Sequence, residues 1–248
     1  MTGRYVLFAA LAAMLLLAAE PAAAQALSLD LGNGDEGGSV TGRIIQMIAL
    51  LTVLSLAPSI LVMVTSFTRI VIVLSFVRTA MGVQQTPPNQ VLVSLALFLT
   101  FFVMMPTLEQ SYDQGIKPLI DGEISEMEAF DKAVEPVRGF MMSHVREQDL
   151  MLFADMAEVP DEELRTETPL RVLIPAFMVS ELRRAFEIGF LIFVPFLIID
   201  MVVASVLMSM GMMMLPPIII SLPFKIIFFV LVDGWYLVVG SLVRSFGG

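Results

Sequence analysis

GFLIFVPFLIIDMVVASVLMSMGMMML, residues 189–215, decides the fold class, because one ionisable side chain, Asp200, is all that interrupts its apolar and small residues. About 20 such residues span a hydrocarbon core of about 30 Å. Pro216-Pro217 follows directly, and proline both removes a helical donor and disfavours the helical state of the residue before it. A second apolar stretch, Ile218–Val239, begins at once. The pair reads as a helical hairpin.

Toward the amino terminus lie Ile44–Val64, trailed by Ile70–Val77, and then Val91–Met105, with Pro87-Pro88 between them at a second turn. Conventional counting gives four spans. The composition agrees: 57% of residues are apolar and 15% charged, and the mean hydropathy is +0.87, outside the soluble range. The chain therefore reads as an all-α membrane protein, with one membrane hairpin region at 44–106 and another at 185–248.

Between them, residues 107–184 carry most of the acid, including Glu123, Glu126, Glu128 and Asp131, and set the net charge of -10. Met127, Phe130, Val134, Val137, Met141 and Val145 recur at helical spacing, so the section reads as water-exposed amphipathic helices with Pro136 and Pro160 as breaks. No basic patch accompanies it, which argues against nucleic acid.

The first residues have the layout of a signal peptide (1–24): Arg4, an apolar stretch from Tyr5 to Ala19, and the small residues Ala22-Ala23-Ala24. An uncleaved first span is the alternative, but the stretch is short for that. Residues 25–43, rich in Gly and acid, read as a flexible extracytoplasmic tail. With that terminus translocated, the connection bearing Arg69 and Arg78 faces the cytoplasm and the acidic section lies outside.

The apolar lengths fit lipid poorly. Ile44–Val77 as one nearly continuous helix reaches about 50 Å, whereas Val91–Met105 reaches about 22 Å. Helices that ignore bilayer thickness are tolerated where other protein covers them, so a multi-subunit assembly is expected. Pro58 and Pro195 interrupt apolar runs as kinks or breaks.

Asp200, Lys225 and Asp233 stand inside apolar stretches, where each charge costs about 2.5–3.5 kcal/mol at a helix centre. On one helix Lys225 and Asp233 are about 12 Å apart along the axis, too far to pair, so partners come from other segments or subunits. Structural pairing and a proton relay both remain open. Glu181, Arg183, Arg184 and Glu187 read as an interfacial salt-bridge cluster. Met212, Met213 and Met214, in a methionine-dense run ending at Pro216-Pro217, either fill a core or seal a passage that deforms around cargo.

Chemistry is thinly represented. Cysteine is absent, which excludes a disulfide framework, a thiolate metal site and a Cys nucleophile. His144, the one histidine, has no partner motif. Phosphate loops, HExxH and GxSxG are missing, so no catalytic residue, metal or cofactor is expected.

The residues also resemble a known family. Thr65-Ser66-Phe67-Thr68-Arg69-Ile70-Val71, Gln84-Gln85-Thr86-Pro87-Pro88-Asn89-Gln90-Val91 and Leu95 through Phe102 are similar to the amino-terminal signature of the FliP family, the P subunits of the flagellar type III protein-export gate. Ile174-Pro175-Ala176-Phe177, Ser180-Glu181-Leu182, Phe186 through Asp200, Gly211-Met212-Met213-Met214 and Leu222-Pro223-Phe224-Lys225 through Trp235 follow the same family's pattern. The resemblance implies a non-enzymatic inner-membrane subunit of the flagellar basal body. It would assemble in several copies with small Q-type and R-type proteins into a closed helical cone, joined by FlhB-type and FlhA-type proteins, through which unfolded flagellar subunits pass. It further implies that Met212, Met213 and Met214 form the channel gasket, and that Glu181, Asp200, Lys225 and Asp233 pair in assembly. A proton-coupled transporter is the competing reading from another class; it should show internal repeats, and none is evident.

The mature chain is expected to begin near Gln25. Amino-terminal sequencing of the membrane-assembled protein checks this, and an intact Met1 or Thr2 would refute the cleaved leader.

Overall fold

The computed structural model describes residues 40–83, 85–160, 164, 168–212 and 215–247. The signal-peptide reading and most of the 25–43 tail lie outside these residues. All secondary structure among the described residues is helical: α1 (Val40–Val64), α2 (Phe67–Ala80), α3 (Asn89–Ser111), a π turn (Tyr112–Ile116), α4 (Lys117–Ile120), α5 (Glu126–His144), α6 (Glu147–Met156), α7 (Leu170–Ser209), α8 (Pro217–Leu231) and α9 (Gly234–Arg244). Residues 1–51 and 52–248 are separate units. The described part of the first is the leading part of α1, and the elements from α2 onward belong to the second.

Among the described residues, two helices, Asn89–Ile120 and Leu170–Ser209, are long and apolar enough to cross a membrane, and up to four spans result if each of two bent pairs counts as one. The bent pairs are Pro58–Val64 with Phe67–Ala80, at 81°, and α8 with α9, at 62°. The first corrects the nearly continuous helix expected over Ile44–Val77. Its cause is a run of hydroxyls that take carbonyls away from the ladder. Thr65 Oγ1 donates to the Leu61 carbonyl at 2.8 Å and Thr68 Oγ1 to the Val62 carbonyl at 3.1 Å, while the Phe67 amide donates to Thr65 Oγ1 at 3.3 Å.

Several prolines sit inside helices instead of ending them. Pro136, expected as a break, lies within α5, and Pro106 lies within α3. Val91–Met105 is therefore not the short rod expected, since α3, the π turn and α4 continue as a 32-residue span, about 48 Å at 1.5 Å per residue. A register change follows Pro106 as the π turn. There Gly115 lies so close to α5 that a Cβ would sit 2.6 Å from the Ala129 carbonyl oxygen and from Ala133 Cβ.

The core is built on α7. Ile70, Val73 and Leu74 of α2, Leu92, Ala96 and Leu99 of α3, Ala185 of α7, and Leu242 and Phe246 at the carboxyl end form one cluster. Val77, Ala80, Met81, Phe196 and Phe229 form a second where α8 folds back on α7. The acidic section packs on the leading part of the same helix: Met141 meets Leu173 and Phe177, and Ala154 and Val159 meet Val172. At α5, Ser125 caps the helix by accepting from the Glu128 amide at 3.4 Å, and Glu126 and Glu128 complement the dipole in its first turn.

Gly115→Val forces α5 away from the π turn. The expected loss is about 1–3 kcal/mol, the usual range for overpacking a filled site. It should appear as earlier tryptic cleavage at Lys132 and Arg138 in the purified protein.

Candidate functional site

Arg69, on the first turn of α2, and Glu181, in the leading third of α7, are both fully enclosed. The guanidinium is held as a fork: Nε donates to Glu181 Oε2 at 2.8 Å and Nη2 to Oε1. Such bidentate geometry is what lets a buried ion pair offset its desolvation. Arg69 Nη1 donates to the Ser245 carbonyl at 3.1 Å and to its hydroxyl at 3.0 Å, and the Phe246 ring centroid lies 3.8 Å from the guanidinium carbon. The chain end thus closes the pair, with a cation–π contact added. On its other side Phe246 meets Phe140 at 6.2 Å and His144 at 5.4 Å. His144 Nδ1 lies 2.8 Å from the Phe140 carbonyl oxygen and Nε2 3.3 Å from that of Phe246, so this histidine braces the chain end. No group of residues able to hold a metal ion occurs among the described residues.

Glu181 accordingly leaves the interfacial cluster expected of it. Arg183 and Glu187 do pair on the exposed face of α7, at 2.9 Å, but Glu181 points the other way, into the core. Arg69, read from sequence as an orientation charge, is its partner. The signal was available: Arg69 stands next to Ile70 and Val71, in a stretch where a base has no water to face.

Lys225 and Asp200 meet across the α7–α8 hairpin, with Nζ 2.6 Å from Oδ2. Ser221, one turn before Lys225, donates to Asp200 Oδ1 at 2.5 Å, and Lys225 Nζ also donates to the Ala80 carbonyl at 3.3 Å. Lys225 is buried, while the Asp200 side chain keeps 28% exposure toward a cavity of about 460 Å³ that Arg78, Gly82 and Val83 also line. Ser221 went unnoticed in the sequence because a serine in an apolar run is common; its i−4 spacing from a buried lysine was the clue.

The two proline pairs lie at the junctions of consecutive helices. Pro88 precedes α3, and Arg78 Nη1 donates to the Pro87 carbonyl at 3.4 Å and to Asn89 Oδ1. Pro216 precedes α8 and Pro217 opens it, where a missing N–H costs nothing. Before them Gly211 takes φ +76, and the Met212 amide donates back to the Leu207 carbonyl at 3.0 Å, the glycine-assisted end of α7. Met212 follows on this turn with 40% of its surface exposed. Met213 and Met214 lie outside the described residues. Asp233 sits apart from the other charges, at the α8–α9 bend, exposed and in the left-handed region at φ 51.

Comparison with known proteins locates this arrangement. The model of the FliP family matches residues 50–242. Flagellar biosynthetic protein FliP of Caulobacter vibrioides is 64% identical over 226 residues, covering 91% of this chain and 85% of its own. The protein of that name in Bacillus subtilis is 60% identical, covering 82% of this chain and 91% of its own. The one in Aquifex aeolicus is 51% identical, covering 89% and 91%.

Removing one member of a buried pair leaves an uncompensated charge and costs about 3–5 kcal/mol, whereas replacing both with apolar residues costs far less. Arg69→Met and Glu181→Met should each deplete the protein from membranes. Arg69→Met/Glu181→Met together should restore it toward wild type, as read by quantitative immunoblot. A double variant as depleted as the singles would contradict the pairing.

Proposed function

Because the chain belongs to the FliP family, we propose that it is a core subunit of the flagellar type III protein-export gate, a channel component through which unfolded flagellar proteins leave the cytoplasm. The observation that carries this reading is the extent of the family match. Residues 50–242 take in both apolar regions, both internal ion pairs and the turn bearing Met212. The role is structural: the subunit lines a passage and catalyses no reaction.

In this reading the chain is a multi-pass protein of the inner membrane, held in the flagellar basal body, with residues 107–184 on the periplasmic side. Several copies assemble with small Q-type and R-type proteins, and FlhB-type and FlhA-type proteins join them. Broad apolar exposure supports a covering of neighbouring subunits: Phe98 and Phe102 on α3, Phe190 and Leu191 on α7, and Ile218 and Ile227 on α8 are more than half exposed. Glu181 is forked to Arg69 and Asp200 is paired with Lys225, which favours structural pairing, and with it the gate, over a proton relay. Purification in mild detergent tests the assignment. A high-mass complex with two further small membrane proteins is expected, and a monomer or simple dimer would overturn it.

Met212, Met213 and Met214 are proposed to converge from several copies on the narrowest part of the closed channel. Thioether side chains conform to irregular shapes, and an apolar constriction blocks ions by dewetting. Replacing all three with Ala should leave the complex assembled but raise its ion conductance in planar bilayers by about tenfold or more. A variant complex as tight as wild type would return these methionines to core filling.

A further inference from the structure

Among the acids and the lysine singled out in the apolar stretches, Glu181 is neutralised inside the protomer by Arg69, and Asp200 and Lys225 by each other. Asp233 is the exception. Its carboxylate makes no hydrogen bond or ion pair within the described structure, and it does not cap α9, which begins one residue later.

The bend fixes where this carboxylate points. A Cβ on Gly234 would enter the Phe229 ring, and Trp235 stands edge-on to the same ring at 5.3 Å. The inner side of the turn is therefore filled by α8, and Asp233 is left outside. It adopts φ 51, ψ 54, a region that Asp and Asn enter more readily than other non-glycine residues. Around it the surface is apolar and open: Val230 is 70% exposed, Leu231 80% and Tyr236 69%. A carboxylate in such a setting is costly unless a cation meets it.

We propose that Asp233 is the docking point for a lysine or arginine carried on an apolar helix of a non-identical partner subunit. This rests on the multi-subunit reading given above and adds a residue and a chemistry to it. Charge complementarity selects the occupant. A second copy of this chain has few bases to offer among its described apolar helices, because Arg69, Lys225, Arg183 and Arg78 are engaged by Glu181, Asp200, Glu187 and Asn89. Of those left, Arg43 precedes the apolar run that begins at Ile44, Lys117 follows the run that ends at Met105, Arg171 and Arg244 stand at helix ends, and Arg184 stands among Glu181, Arg183 and Glu187. None is a base within an apolar stretch, which is what an acid within an apolar stretch requires.

The test uses the whole complex, purified through a tag on this chain. Asp233→Asn keeps the size and the tolerance for positive φ while removing the charge, and Asp233→Glu keeps the charge. Recovery of partner subunits should fall about tenfold or more with Asn, the scale of one lost buried charge contact, and much less with Glu. A photo-crosslinker, Tyr236→p-benzoylphenylalanine, placed near the carboxylate in an otherwise wild-type complex, should join this chain to a different subunit. Full recovery with Asn overturns the inference, as does a crosslink only between two copies of this chain, or none in an intact complex. In each of those cases the wild-type complex still stands, whereas a wild-type chain that purifies alone would mean that the gate reading itself has failed.

Discussion

Arg69 and Glu181 are 112 positions apart in sequence, and their contact sets the placement of α2 on α7. The guanidinium also receives the Ser245 carbonyl and hydroxyl and the face of Phe246, so three distant parts of the chain share one group of donors. Apolar packing between α2 and α7 tolerates sliding by a turn, because one methyl resembles another. A forked pair does not, since any slide would strand a charge where no water reaches. Register is therefore fixed by the polar contact, and the surrounding Ile70, Val73, Leu74 and Ala185 fill the space it defines.

Lys225 and Asp200 repeat the device at the α7–α8 hairpin with a weaker enclosure. Asp200 keeps partial access to a cavity, and Ser221 supplies a further donor. Helix length is then free to depart from bilayer thickness. α7 has 40 residues, about 60 Å at 1.5 Å per residue, roughly twice the hydrocarbon core. Such a helix is stable only where protein or water covers what lipid does not, and the acidic section already covers its leading part through Leu173 and Phe177.

Hydropathy and proline placement made the class, the hairpins and the acidic helices legible in the sequence. What they missed has a physical pattern. Periodicity does not register hydroxyls that back-bond carbonyls, so the break at Ser66 was invisible in a run that reads as one helix. A proline signals a lost donor, but not whether neighbouring turns absorb the loss; Pro106 and Pro136 are accommodated within their helices. Glu181 was grouped with Arg183 and Glu187 by proximity in sequence, although spacings of two and six residues put it on another side of the helix from theirs. The methionine run was legible as the approach to a turn, because Pro216-Pro217 follows it, but the apolar stretch read through to Leu215 stops being helical after Ser209, before the positive-φ Gly211.

The domain boundary read at residue 184 falls inside α7, and this bears on what the acidic section does. Leu173 and Phe177 are buried against Met141 of α5, and Val172 against Ala154 of α6. Ser180 donates to Asp149 at 2.7 Å and accepts from the Arg146 amide at 3.0 Å. Directly after Ser180 the same helix carries Glu181 and, further on, Asp200, and it ends at Ser209, shortly before Gly211 and Met212. An acidic section joined by a linker would be free to move without effect on the membrane hairpin. Instead this section packs on the leading part of a continuous helix whose later part carries Glu181 and Asp200 in buried or half-buried polar contacts and ends shortly before the methionine turn.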